Sequence, residues 1–298
     1  MTYSIVALDR ETGELGVAVQ SRWLATGSVV PWVRPGVGAI ATQSFVDARY
    51  GYAGLELLAA GRAPADVLAE LLAADPDPGV RQVGIVDAAG RVAAHTGDDC
   101  VQAAGHLLGD GVTVQANMME RPSVWPRMLA AYVAADGDLA DRLMAALRAA
   151  EAQGGDVRGR QSAALVVVPG RADATPWDVR FDLRADDHPA PLDELDRLLM
   201  LARAYEDFDQ ALEALAVGER TAALAFFETA AAIAPDDDQI RLWLSLAVFD
   251  SGDEQRGRRL YRSALAAESR AGEHLRRFVA AGQLPGAERL VTALTEGT

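Results

Sequence analysis

The sequence predicts an α+β fold, a four-layer α–β–β–α sandwich over residues 1–188 followed by an all-α region over residues 189–298. Three observations lead there. Strand patterns come in runs, and helical patterns come in pairs between those runs. No helical stretch separates the four strand patterns of residues 2–43, so a doubly wound parallel sheet is excluded. Beyond residue 191 the strand patterns stop.

The elements follow in order. Residues 3–8 are rich in β-formers and end at Asp9, and the stretch 9–14 reads as a hairpin turn into a second strand at 15–21. Residues 29–33 and 37–43 read as two more strands, broken by Arg34-Pro35-Gly36. Their continuous Val, Ile, Ala and Gly content suits sheets covered on both faces. Leu recurs at helical spacing over 52–60 and 64–74, and Pro64 suits a first helical position. Strands resume at 83–87, 91–95 and 111–115, helices at 124–135 and 139–153, and strands again at 162–168 and 178–183. Gly154-Gly155 closes the second of those helices.

Residues 184–191, with two prolines, mark the boundary between the halves. In the tail, Gly252-Asp253-Glu254 lies 34 positions after Gly218-Glu219-Arg220, and Phe227, Ala230 and Ala232 match Tyr261, Ala264 and Ala266 at that offset. A helix–turn–helix period of that length is the tetratricopeptide signature. Pro235-Asp236-Asp237 stops the first copy, where the second has Ser269. Two copies are too few for a free solenoid, so the tail is expected to pack on the first domain.

Composition narrows the function. The formal charge of −15 disfavours nucleic acid and anionic membranes as partners. All 28 basic residues are Arg, which excludes any lysine-dependent mechanism, a Schiff base included. The lone Cys100 makes neither an internal disulfide nor a Cys-rich zinc site, and is read as a small buried residue. His95, Cys100 and His106 match no standard zinc spacing, so neither metal nor cofactor is expected. Charges, Gly and Pro interrupt every apolar run before it reaches membrane-spanning length. With no basic–apolar leader before the first strand, a cytoplasmic location is expected.

Thr2 is the candidate nucleophile. A small second residue permits removal of Met1, which leaves Thr2 with a hydroxyl and a free α-amine of pKa near ~8. That amine takes the hydroxyl proton without help from histidine. Ser4 shares a strand face with Thr2. Gln20 and Asn117 donate and accept hydrogen bonds, as orienting an amide substrate requires, and are equally read as satisfied core amides. Arg158 or Arg160 suits a substrate carboxylate, and Asp156 suits the threonine amine; solvated loop charges are the competing reading of Arg158 and Asp156. Asp186-Asp187-His188 is read as capping the linker and the following helix.

A set of motifs carries a wider resemblance. It runs through Thr2-Tyr3-Ser4-Ile5-Val6-Ala7, Gly16-Val17-Ala18-Val19-Gln20-Ser21, Gly36-Val37-Gly38 to Gln43, Gln82-Val83-Gly84, His95-Thr96-Gly97, Cys100, Ala104-Gly105-His106, Gln115-Ala116-Asn117-Met118, Arg158 to Leu165 and Asp186 to Pro189. In that order they resemble the family known as domain of unknown function 1028, grouped with N-terminal-nucleophile (Ntn) hydrolases. Some of its members carry a C-terminal peptidoglycan-binding-type region, which the helical tail resembles. A remoter resemblance is to proteasome-type β subunits. It implies Thr2 as the catalytic threonine and Gln20-Ser21 in place of an Asp-Ser pair. It also implies Gln43 near the oxyanion hole, with Asn117 and Asp156 as supporting residues. The catalytic lysine of those enzymes has no counterpart here.

The expected function is therefore an amidohydrolase acting on a small amide or peptide. Thr2, Gln20, Asn117 and Asp156 would be catalytic, with Ser4, Ser21, Gln43, Arg158 and Arg160 binding substrate. The alternative is a non-catalytic ligand-binding or scaffolding protein. The tail is expected to mediate homo-oligomer formation or a protein partner.

Overall fold

The turn at Asp9–Glu14 sets the register of the first sheet. Asp9 donates its N–H to Glu14 O at 2.8 Å and accepts the Gly13 N–H at 2.8 Å, and Gly13 takes φ 74°. That left-handed conformation costs a glycine little. The turn joins strands β1 (Thr2–Leu8) and β2 (Leu15–Ser21), which pair antiparallel from Leu8↔Leu15 back to Thr2↔Ser21. A computed structural model describes residues 2–171, 173–268, 270–284 and 287–296. Met1 and Ser269 lie outside the described residues.

The chain continues through β3 (Pro31–Arg34), β4 (Gly38–Ser44), helices α1 (Ala48–Ala59) and α2 (Pro64–Ala74), then β5 (Arg81–Asp87) and β6 (Val92–Thr96). Next come β7 (Gly105–Gly109), β8 (Val112–Asn117), α3 (Val124–Ala134), α4 (Leu139–Ala152), β9 (Ser162–Val168) and β10 (Phe181–Ala185). The first sheet has six strands in the order β10-β9-β2-β1-β8-β7; the second has four in the order β3-β4-β5-β6. Every pairing in both is antiparallel. Mixed α and β structure with antiparallel sheets is thus confirmed.

Two differences from the sequence reading have local causes. β7 was not expected, because Gly105–Gly109 carries two glycines and half-exposed leucines and has little alternation. The last strand begins at Phe181 rather than 178, because Asp178 is held in a turn by the Thr175 N–H and by Arg171.

Each sheet is covered on one face by helices. Tyr50, Leu55, Leu58, Val67 and Leu68 from α1 and α2 meet Ile40, Val83 and Ile85 of the four-stranded sheet. Burying each such side chain contributes roughly 1.5–3 kcal/mol. α1 approaches β3 closely: a Cβ on Gly51 would fall 2.1 Å from the Trp32 ring, so only glycine fits there. α4 covers the six-stranded sheet, with Leu139 and Leu143 over Gly16. Between the sheets, Val6, Val17 and Val19 from one meet Ala39, Ala41 and Val86 from the other.

The two compact units of the chain are Met1–Arg197 and Leu198–Thr298. The division falls within α5 (Pro191–Ala216). The second unit is helical throughout its described residues, with α6 (Arg220–Ile233), α7 (Asp238–Asp250), α8 (Glu254–Ala267), α9 (Ala271–Ala280) and α10 (Glu288–Thr295). Asp237 and Asp253 start α7 and α8 by accepting the Ile240 and Arg256 N–H groups at 2.9 and 3.0 Å. Of the matched repeat residues, Phe227, Tyr261, Ala230 and Ala264 are buried, whereas Ala232 and Ala266 face solvent. Phe227 stacks on Trp243 at 6.4 Å, and Phe208 meets both edge-on. No described helix is long and apolar enough to cross a membrane.

Candidate functional site

Alternation along β1 turns Thr2, Ser4 and Val6 toward the second sheet. Their cross-strand partners, Ser21, Val19 and Val17 on β2 and Asn117, Gln115 and Thr113 on β8, share that face. From the opposite sheet, the paired residues Gln43 and Gln82 reach across. The apolar interface between the sheets therefore gives way at this end to a buried polar layer built on four carboxamides. Gln43, Gln82, Gln115 and Asn117 are all fully buried, and Thr2 is 4 % exposed.

The hydrogen bonds run in a defined direction. Gln82 Nε2 donates to Ala116 O at 2.9 Å and to Gly105 O at 3.3 Å. Those carbonyls only accept, so the amide cannot be reversed. Its Oε1 therefore faces inward and accepts from Gln43 Nε2 at 2.7 Å and Asn117 Nδ2 at 2.8 Å. These two nitrogens also donate to Thr2 O, at 3.2 and 3.4 Å. Gln43 Oε1 accepts the Ser4 hydroxyl at 2.7 Å, and Ser4 Oγ accepts from Gln115 Nε2 at 2.6 Å. The Thr2 hydroxyl donates to Ser21 Oγ at 3.0 Å. Asn117 Oδ1, Gln115 Oε1 and Thr113 Oγ1 are buried and have no hydrogen-bond partner among the described residues.

Gly84 makes room for this layer. A Cβ there would fall 2.3 Å from Gln115 Oε1 and 2.5 Å from Thr113 Oγ1. On its outer side the layer continues to histidine. Gln82 Nε2 also donates to Thr96 Oγ1 at 2.9 Å, and Thr96 Oγ1 lies 2.8 Å from His106 Nδ1. Burial, reinforced by His95, holds the His106 imidazole below the usual histidine value. His95 turns its Nε2 to Pro78 O at 3.0 Å. Cys100 is buried and donates to Arg81 O at 3.3 Å; burial pushes its thiol up.

Of the residues singled out in the sequence, Thr2, Ser4, Ser21, Gln43 and Asn117 come together. Gln20 does not, and the expected convergence of Gln20 on Thr2 is corrected. Gln20 pairs with Tyr3, one residue out of phase with Thr2, so its side chain lies on the helix-covered face. It is fully buried there, and neither amide atom has a hydrogen-bond partner among the described residues. On that face the Tyr3 hydroxyl donates to Glu151 Oε2 at 2.8 Å, and burial followed by the Glu151 charge raises it well above the ordinary tyrosine value. Arg160 also goes to Glu151, at 3.5 Å.

Asp156 sits beside the layer. One carboxylate oxygen accepts the Arg22 N–H at 3.2 Å, directly after Ser21, and Arg158 supplies its N–H at 2.9 Å and its guanidinium at 2.9 Å. Asp156 is thus an anchor of the loop after β2, and Arg158 is its counter-ion. The 186–188 stretch holds loops: Gln161 Nε2 donates to Asp187 Oδ1 at 3.2 Å, and His188 Nδ1 accepts the Ala190 N–H at 3.1 Å. Gln82, Gln115, Thr96 and His106 were missing from the sequence-based site, although each lies inside a motif noted there.

Fold and site together define an α+β protein whose two antiparallel sheets enclose a carboxamide layer beside Thr2, joined to a helical region. The chain belongs to the family of unknown function DUF1028, whose profile matches residues 2–195. The crystal structure of protein SPO2555 from Silicibacter pomeroyi, assigned to the same family, is similar at a TM-score of 0.61. It is 32 % identical, over 67 % of this chain and 88 % of that one. No curated protein matches the chain.

Proposed function

We propose that residues 1–188 form an Ntn-hydrolase-like four-layer αββα sandwich and that the helical tail is tetratricopeptide-like. We further propose that Thr2, freed by removal of Met1, is the nucleophile of an amidohydrolase acting on a small amide or peptide. The observation that carries this reading is the setting of Thr2. It opens an interior strand of its sheet, its hydroxyl is bonded to Ser21 Oγ at 3.0 Å, and Gln43 and Asn117 hold its carbonyl. A backbone fixed on both sides holds the hydroxyl in one orientation, which is what near-attack geometry demands.

In the proposed reaction the α-amine accepts the Thr2 hydroxyl proton as Oγ1 bonds to the substrate carbonyl carbon. The C–N bond then breaks, and the leaving amine takes that proton. Water attacks the resulting Thr2 ester with the same amine as base, which releases the acid. Backbone N–H groups beside Thr2 stabilise the oxyanion, because Gln43 Nε2 and Asn117 Nδ2 already donate within the layer. No lysine is present to share the proton, so the amine alone is the base.

The competing reading is a non-catalytic binding protein, and the 4 % exposure of Thr2 favours it. A panel of small amides separates the two. Wild type confirmed by intact mass to start at Thr2 hydrolyses a member of the panel, and folded Thr2→Ala does not. Equal turnover by both would move the nucleophile elsewhere.

A further inference from the structure

The loops around Thr2 are apolar where they meet solvent. Trp23 is 64 %, Phe45 61 % and Leu24 59 % exposed, and Val46, Val101 and Val157 are exposed as well. Hydrogen bonds tie the loops that carry them into one cluster at the Thr2 end. Trp23 and Leu24 follow Ser21, which accepts the Thr2 hydroxyl, and the intervening Arg22 N–H goes to Asp156. Phe45 and Val46 follow β4, whose Gln43 donates to Thr2 O. Met118, next after Asn117, donates its N–H to Val101 O at 2.8 Å and accepts the Val157 N–H at 3.3 Å.

Stray exposed hydrophobics are ordinary, but six on loops leading out of one polar site are not scattered. The charges among these loops are largely spent on one another. Asp156 is paired with Arg158, and Asp47 with Arg49. Arg22 is the exception: its guanidinium goes to the neutral Gln161 Oε1 at 2.6 Å. Beneath the rim, Asn117 Oδ1, across the strand pair from Thr2, is a buried acceptor with no partner among the described residues; an amide N–H satisfies it while a bulky apolar side chain meets the rim.

We infer that the site at Thr2 selects amides carrying a large apolar side chain, held by the Trp23 and Phe45 loops. This rests on the hydrolase reading of the same site, and binding is testable apart from turnover. The probes are N-acetyl-phenylalaninamide and N-acetyl-alaninamide, titrated by NMR into the full chain. Wild type should bind the phenylalanine amide at least tenfold more tightly. Trp23→Ser/Phe45→Ser should lose that preference, and Thr2→Ala should keep it. Both changed side chains are exposed, so folding should survive, as circular dichroism will show.

Equal affinities, no saturable binding, or a preference that persists in the double variant would overturn the inference. So would a wild-type dimer that the double variant turns into a monomer, because the rim would then be covered by a second copy. Discriminating binding by protein confirmed to start at Thr2, with no hydrolysis of either amide, would count against the hydrolase reading while leaving this inference standing.

Discussion

Thr96 Oγ1 and His106 Nδ1 lie 2.8 Å apart, at the outer end of a hydrogen-bond chain that starts at the carbonyl of Thr2. Because Thr96 accepts from Gln82 Nε2, its own proton is free to go to His106. With that proton on the Thr96–His106 bond, Nδ1 is the acceptor and Nε2 the protonated nitrogen of a neutral ring. We predict the Nε2–H tautomer at neutral pH, read from the ring 15N shifts. An Nδ1–H signal would break the chain at this link.

The same arrangement sets a pH dependence. The His106 value is lowered in the folded protein, by burial first and by His95 second. A lowered value means that fewer protons are bound folded than unfolded, so stability rises with pH through this window. The contribution is complete above the ordinary histidine value near ~6.5 and is lost as pH falls through the depressed one. Urea unfolding of wild type and His106→Gln should differ in slope across that interval. Parallel curves would remove His106 from the account.

Gln82 is the hub, with donors entering its Oε1 and three acceptors around its Nε2. Gln82→Met keeps the volume and removes every one of these bonds. Stranded buried groups cost about 1–3 kcal/mol each, so a loss of roughly 2–4 kcal/mol is expected. Chemical denaturation measures it, and a change under 0.5 kcal/mol would mean that the layer is not energetically coupled.

Gly84→Ala tests the same layer by volume. The added methyl meets Thr113 Oγ1, on a stiff branched side chain, and Gln115 Oε1. Overpacking of this kind costs about 1–3 kcal/mol. Because Gln115 holds Ser4, the variant should also exchange its Ser4 hydroxyl proton faster than wild type, as NMR would read; an unchanged melting curve would show that the sheets part freely here.

Arg81 links this end to the helices. Its Nε donates to Asp75 Oδ2 at 2.7 Å and its Nη1 to Phe45 O at 2.7 Å, while the Tyr50 hydroxyl donates to the same carboxylate at 3.0 Å. The guanidinium holds the Asp75 carboxyl well below the usual range, and that carboxylate is almost wholly buried. Arg81→Met strands it, at a cost of about 3–5 kcal/mol. A melting temperature within error of wild type would contradict this.

Much of this was readable in the sequence, and what was missed has physical reasons. The strands 2–8, 15–21 and 162–168 announce themselves by apolar β-formers, because both faces of their sheet are covered. The phase of Gln20 is open to counting: once Leu8 and Leu15 flank the turn, counting back pairs Thr2 with Ser21 and puts Gln20 out of phase. Gln82 and Thr96 were not open to such counting. The approach of Gln82 to Asn117 and of Thr96 to His106 depends on how one sheet faces the other, which no local pattern encodes. His106 sits on β7, whose glycines hide the strand.

Thr2 is the centre of the functional account, and one measurement reaches it most directly. Wild type and Thr2→Ala are incubated with reactive amide and ester probes, acid-quenched, and weighed intact, with the modified peptide then mapped. The account predicts wild type lacking Met1, an acyl adduct of one equivalent on Thr2, a slower adduct on Thr2→Ser, and none on Thr2→Ala. Uniform retention of Met1, or an adduct that persists in Thr2→Ala, would contradict it, because the amine needed as base would be bound in a peptide or the nucleophile would be another residue.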